Sequence, residues 1–314
     1  VTDKALLPGP DEAVRCATHS RHIGLDPGGT ALWADELIVA DVALPWPKPV
    51  WRKPGFERVA PLAAEAGRRV RVLAAVPESD DPREAVVSVH RRPADSAALL
   101  ADRHLVDRDH VADLVCRLLE HGPRSSPATM VETGASPREL LVCTQGSHDI
   151  CCGTRGTTFA AAIRSAAPTL AVRRVSHTGG HRFAPTVMSL PDGRMWGLMD
   201  VDTMLTILDR SVSPAQVAGL CRGFTGVEPG PSQVAERAVM AAVDDWSFDL
   251  TPRSVEIAGG AESELVCLVS AGESAWMVEV HPGRDVPVIA CGVEGGLPAK
   301  PGREWMVARI DSIQ

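Results

Sequence analysis

The chain has 314 residues, 45% of them apolar and 23% charged, and a formal net charge of −8. This composition can bury a real core and argues against disorder over most of the length. No stretch approaches the ~18 consecutive apolar residues of a membrane span, and the acidic balance speaks against a nucleic-acid-binding surface over the whole protein.

Residues 1–30 read as irregular, rich in Gly, Pro and His. ELIVADV (36–42) reads as a buried strand, and the proline-rich ALPWPKPVWRKPG (43–55) as a loop. FERVAPLAAEAG (56–67) reads as a helix, and RVRVLAAV (69–76) and AVVSVHR (85–91) as strands by their β-branched content. In HVADLVCRLLEHG (110–122) the spacing of Val111, Leu114, Val115 and Leu118 predicts a helix that Gly122 stops. PRSSPATMVETGASP (123–137) has the composition of a linker.

The second third repeats this order. ELLVCT (139–144) predicts a strand, TTFAAAIRSAA (157–167) a helix and AVRRVSH (171–177) a strand. APTVMSL (184–190) and RMWGLM (194–199) flank a Pro-Asp-Gly turn, as in a hairpin, and DTMLTILDR (202–210) predicts a helix. The last third opens with a helix at 234–243. SVEIAGG, SELVCLVSAG, SAWMVEVHPG, VPVIACGV and EWMVARI then alternate with turns, an antiparallel β pattern. Trp276, Val278 and Val280 share one face of their strand, and Met277, Glu279 and His281 the other. The expected fold class is α/β: a thioredoxin-like lobe at 138–226, a degenerate thioredoxin-like lobe at 1–125, and a helix plus β-rich segment at 227–314.

Eight cysteines occur, with no Cys-x-x-Cys, and Cys143 and Cys152 enclose eight residues. His177 and His181 bracket Thr-Gly-Gly. Thiolate and imidazole are the side chains best suited to iron or zinc. Cys143 ends one predicted strand, His177 ends the next, and Cys152 opens a helix, so one sheet edge would gather all four. Cys16, Cys116, Cys221, Cys267 and Cys291 are scattered and read as small core residues. Cys151, beside Cys152, reads as a buried thiol. The opening VTDKALLPGP has no apolar core of signal-peptide length, so a cytoplasmic protein is expected. Arginine supplies 28 of 32 basic residues and Tyr is absent, a bias typical of GC-rich bacterial genomes.

The motif Cys143, Cys152, His177-x-Gly-Gly-His181 resembles that of the sucrase/ferredoxin-like family, a branch of thioredoxin-like [2Fe-2S] ferredoxins. SHD (147–149), HRFA (181–184), GTALWADELIVADVALPW (29–46), and CRG (221–223) with Gln233 and Glu236 add to the resemblance. It implies one [2Fe-2S] cluster, with Cys143 and Cys152 on one iron and His177 and His181 on the other. Two neutral imidazoles in place of two thiolates make such a cluster easier to reduce. Rieske centres, which share this ligation, lie at about −150 to +300 mV against about −400 mV for plant-type ferredoxins. Imidazole nitrogens not on iron would couple electron to proton transfer.

Ser147, His148, Asp149, Cys151, Thr178, Arg155 and Arg182 adjoin these four residues and could bond or neutralise them. The expected function is a single-electron carrier between a reductase and an unknown redox enzyme, which the mildly basic 138–225 segment, nine basic residues against six acidic, would help to dock. No catalytic residue is assigned. Two other readings stay open: a thiol-dependent oxidoreductase using Cys151 or Cys152, and a zinc-stabilised Cys2His2 interaction module. Nothing supports sugar hydrolysis, since Asp80–Asp81 and Asp244–Asp245 read as solvated surface charge.

Overall fold

Two buried parallel strand pairs organise the protein. Its computed structural model describes residues 4–122, 130–261 and 263–313. A short helix α1 (Cys16–His22) precedes the first pair. The first lobe runs β1 (Glu36–Asp41), α2 (Val59–Glu65), β2 (Val70–Ala75), β3 (Glu84–Arg91), β4 (Leu100–Asp107), α3 (Val111–His121) and β5 (Met130–Ala135). The second runs β6 (Glu139–Cys143), α4 (Thr157–Ala166), β7 (Ala171–Val175), β8 (Val187–Leu190), β9 (Arg194–Trp196), α5 (Val201–Leu208), α6 (Pro214–Val217) and β10 (Cys221–Phe224).

The ten strands form one sheet in the order β10-β9-β8-β6-β7-β2-β1-β3-β4-β5. In each lobe a parallel pair, β1–β2 or β6–β7, is extended by three antiparallel strands, β3–β5 or β8–β10. This 2-1-3-4 order, with helices after the first and fourth strands, is the thioredoxin-like arrangement, and the lobes repeat it as expected. All residues of β1 and β6 are buried, which explains why they read as continuous apolar runs rather than alternations. The lobes join antiparallel through β2 and β7 at Ala75 and Val175. On one face of the seam Leu37, Val39, Leu73 and Ala75 pack with Leu141, Val175, Met188 and Met195 in a shared core.

The final segment is a helix α7 (Pro231–Val243) and a separate antiparallel sheet of β11 (Arg253–Ala261), β12 (Glu264–Ala271), β13 (Ser274–Val288) and β14 (Lys300–Ile313). Val234, Val239 and Met240 of α7 pack with Leu140 and Phe159 of the second lobe and with Val269, Val278 and Val280 of the small sheet. SAWMVEVHPG and the start of VPVIACGV form one long strand rather than two, with a register shift between Pro282 and Asp285. The expected linker also differs. Residues 123–129 lie outside the described residues, but Met130–Ala135 pairs with β4. Helix α1 was not expected. It buries Cys16, Ala17, His19 and Ser20, a face with no large apolar residue to reveal it. No described helix is long and apolar enough to cross a membrane.

Under α7 lies a buried ionic network. Arg194 of β9 donates to Glu236 Oε1 at 2.9 Å and Oε2 at 3.0 Å, and also to Asp249. Arg253 donates to the same Glu236 at 2.7 Å. Burial alone would raise the Asp249 pKa, but Arg194 and Arg253 override it and hold the carboxyl at about 2. Removing one partner of such a network leaves a buried charge uncompensated, so Glu236→Ala is expected to cost about 3–5 kcal/mol in equilibrium urea unfolding. Asp249 is depressed below its ordinary 3.8. Its contribution is therefore complete above that value and lost as pH falls towards about 2. Melting temperatures across this window should drop, and Asp249→Asn should flatten that part of the profile.

Candidate metal centre

The parallel register of β6 and β7 pairs Cys143 with Val175, so both strands end at the same level. Loops beyond the carboxyl ends of parallel strands are where such sheets present functional groups. The first loop leads into a π-helical turn, Cys152–Gly156, that continues into α4; π turns recur at functional sites. The second loop carries His177, two glycines and a 3-10 turn, His181–Phe183.

Gln145 ties the loops together. Its Oε1 accepts from the His177 N–H at 3.0 Å, and its Nε2 donates to the Pro47 carbonyl at 2.8 Å. The first lobe braces the second loop: Arg71 donates to the His177 carbonyl at 3.2 Å, and the Ser176 N–H donates to Ala74 O at 2.7 Å. Gly180 sits at φ +64, and a Cβ there would lie 2.5 Å from the Arg222 guanidinium carbon. Arg222 is fully buried, donates to Thr30 and has its pKa pushed down to about 10, chiefly by burial.

Cys143, Cys152 and His177 bring their donor atoms within 4.8 Å of one another. Both cysteines are fully buried. Cys143 is pushed well below the ordinary thiol range by the Cys152 thiol, and, against burial, by His177 and the Thr178 N–H. Cys152 is pushed up by Cys143 and by burial. His177 Nδ1 is buried and meets no hydrogen-bond partner among the described residues. A buried, unpartnered imidazole nitrogen beside two buried cysteines suits a metal, and these three donors are of the types that iron or zinc takes.

His181 stands apart from that trio. Its ring centre is 6.1 Å from that of His177. Its Nδ1 lies 2.9 Å from Asp149 Oδ2. The same Nδ1 lies 3.4 Å from Cys16 Sγ; with the carboxylate as acceptor, a neutral ring bears its proton on Nδ1 and offers Nε2 to a metal. The His181 side chain is 25% exposed, so the imidazole side of the site faces solvent while the thiols are sealed.

The neighbouring residues separate into distinct roles. His148 stacks on His177 with ring centres 3.5 Å apart, and burial, with help from His177 and Lys48, pushes its pKa down to about 4. Ser147 accepts from Gln145 Nε2 at 3.3 Å. Thr178 is buried against Thr186. Arg155 is tied to Thr18 at 2.8 Å, and Arg182 lies over the Phe183 ring. Cys151 faces away from Cys152, towards Cys16 and Cys291.

Cys16, Cys116, Cys221 and Cys267 are buried in cores as expected, and Cys291 is partly buried. The structure adds that Cys16 and Cys291 both meet Cys151. Their sequence separations carry no local pattern that could have revealed this. Gln145 and Arg222 were likewise not assigned to the site; Arg222 falls within the CRG segment.

A two-lobed thioredoxin-like α/β protein with a thiol–imidazole centre is the class these features define. A family model described as sucrase/ferredoxin-like matches residues 29–223, and the chain belongs to that family. No curated protein and no solved structure matches it significantly.

Gly180→Ala tests the loop. Left-handed backbone alone costs a non-glycine residue roughly 1–2 kcal/mol. Gly24 has φ +59 with open space around its missing Cβ. Gly180→Ala should therefore lose clearly more stability in urea than Gly24→Ala; equal losses would show that Arg222 yields freely.

Proposed function

We propose that this protein is a single-electron carrier whose Cys143 and Cys152 hold one iron of a [2Fe-2S] cluster and whose His177 and His181 hold the other. The unpartnered buried Nδ1 of His177 beside the Cys143–Cys152 pair is the observation that carries this reading. When bound, the group supplies one-electron transfer at a potential raised by its two neutral ligands.

The residues around it have assignable tasks. Asp149 holds the His181 Nδ1 proton and orients the ring. Gln145 and Arg71 fix the backbone of His177 from both sides. Buried Arg222, attracted by Cys143 and Cys152, offsets the negative charge that reduction adds. The part-exposed imidazole edge is the point where electrons enter and leave. Lys48 and Lys300 stand on the rim of a cavity of ≈ 510 Å³ that also reaches His148 and His181. They would dock acidic patches of the donor reductase and of the acceptor enzyme.

Anaerobic purification with visible spectroscopy, iron and acid-labile sulfide analysis tests the reading. A red-brown protein with two irons and two sulfides per chain is expected, and EPR of the reduced form should report nitrogen ligation. His177→Cys should lower the midpoint potential, and the parent potential should fall as pH rises from neutral to alkaline. A colourless protein, still metal-free after reconstitution, would leave thiol chemistry as the better reading. Zinc held by Cys143 would favour a structural module. Lys48→Glu and Lys300→Glu should slow electron exchange most at low salt; unchanged rates there would remove the docking assignment.

A further inference from the structure

Three thiols remote in sequence converge beside the first centre, where Cys16 Sγ also lies 3.4 Å from His181 Nδ1. Cys16 comes from α1, Cys151 from the residue before the π turn, and Cys291 from the turns after β13. Cys16 Sγ lies 3.5 Å from Cys151 Sγ, and Cys151 Sγ lies 3.4 Å from Cys291 Sγ. Asp149 closes the group: both of its carboxylate oxygens lie 3.7 Å from Cys16 Sγ. All four donors fall within 4.8 Å of one another.

We propose that Cys16, Cys151, Cys291 and Asp149 form a second metal site, separate from the Cys143–Cys152–His177 centre, that takes one Zn2+. A tetrahedral zinc with bonds of ~2.3 Å to sulfur and ~2.0–2.2 Å to oxygen requires donor–donor edges of about 3.8 Å between sulfurs and about 3.5 Å between sulfur and oxygen. The observed edges of 3.4–3.7 Å are close to these values. They are far too long for a disulfide bond at ~2.05 Å, and all three thiols are free. Three sulfurs and one carboxylate make a closed, thiolate-rich set of the kind that structural zinc occupies.

The backbone prepares the site independently of these side chains. The Gly292 N–H donates to the Val14 carbonyl at 3.0 Å and the Gly295 N–H to the Glu12 carbonyl at 3.1 Å. Ala13 and Glu294 form a β-bridge. Cys16 and Cys291 are thus held side by side by main-chain bonds, and the Cys16 N–H points at Cys291 Sγ at 3.4 Å. Asp149 is fixed by the Cys151 N–H at 2.8 Å. Cys16 and Cys151 are buried, whereas Cys291 and Asp149 line the ≈ 510 Å³ cavity, which gives an ion its way in. Binding displaces the thiol protons to solvent and transfers no electrons. The bound ion would pin the N-terminal helix and the C-terminal turns to the loop that carries Asp149.

Metal analysis of the full chain, purified anaerobically from zinc-replete medium, tests this. About one zinc per chain is expected. Cys16→Ser and Cys291→Ser should abolish zinc retention and leave iron and sulfide unchanged, whereas Cys143→Ser should do the reverse. This separates the site from the electron-carrier reading, since either metal can be lost alone. Should the serine variants fail to fold, the unsubstituted protein still decides. Alkylation of Cys291 should be blocked in the native state and released by chelation, and growth with cobalt should give the visible bands of tetrahedral thiolate cobalt. The proposal is overturned by a protein that neither contains nor takes up zinc and whose Cys291 alkylates at the same rate with and without it. It is equally overturned by a Cys16–Cys151 or Cys151–Cys291 disulfide, by iron in place of zinc, or by zinc and iron leaving together in every variant.

Discussion

The parallel pairing of β6 with β7 is the constraint on which the site depends. With Cys143 opposite Val175, the two strands deliver a thiol and an imidazole loop to the same edge. A shift by one residue would turn Cys143 to the other face of the sheet. The register is secured on both sides: Leu140 and Val142 face the core shared with α4 and α7, while Leu141 and Val175 face the core shared with the first lobe. The first lobe is therefore part of the site's support. It supplies Arg71 and Ala74 to the His177 loop through the β2–β7 seam, although it brings no thiol–imidazole group of its own among the described residues.

Two kinds of buried charge occupy different regions of the molecule. Beneath α7, Arg194 and Arg253 neutralise Glu236 and Asp249 with short, well-directed bonds. The pairing joins β9 to the C-terminal segment, so the family region and the C-terminal sheet share one core. At the sheet edge the charge is left less completely paired. Arg222 keeps one nitrogen without a partner among the described residues, and so does His177. Unpartnered buried nitrogens also occur away from that edge, on Arg92 over the Phe224 ring and on Arg68 and Arg91 of the first lobe. What marks the edge as a ligand site is the position of the His177 nitrogen beside two buried cysteines.

Asp149 and His181 connect the two thiol groups. The carboxylate receives the His181 proton on one oxygen and the Cys151 N–H on the other, and both oxygens lie near Cys16. One short loop, 144–151, thus faces two chemistries. On one side it meets Cys143, Cys152 and His177, and on the other the N- and C-terminal thiols. The C-terminal β segment, which on its own has no visible chemistry, delivers Cys291 and Lys300 to this region because β13 and β14 reach back towards α1.

The repeated strand–helix–strand order, the antiparallel character of the last third and the Cys-x8-Cys with His-x-Gly-Gly-His pattern are legible in the chain's sequence. These are local signals: apolar runs, helical spacing, turn residues and fixed intervals within two adjacent loops. Weak elements escaped it. Strands β4 and β5 are polar enough that pairing places them, and α1 buries only small residues and a histidine. Tertiary structure alone decided which cysteines meet. Cys16, Cys151 and Cys291 share no interval or composition, and only the return of β13 to the N-terminal segment brings them together. It also decided that His181 turns to Asp149 rather than to His177, because that choice depends on a carboxylate contributed by the facing loop. Spacing fixes which residues lie near one another along the chain, whereas contacts between remote segments depend on how complete layers pack.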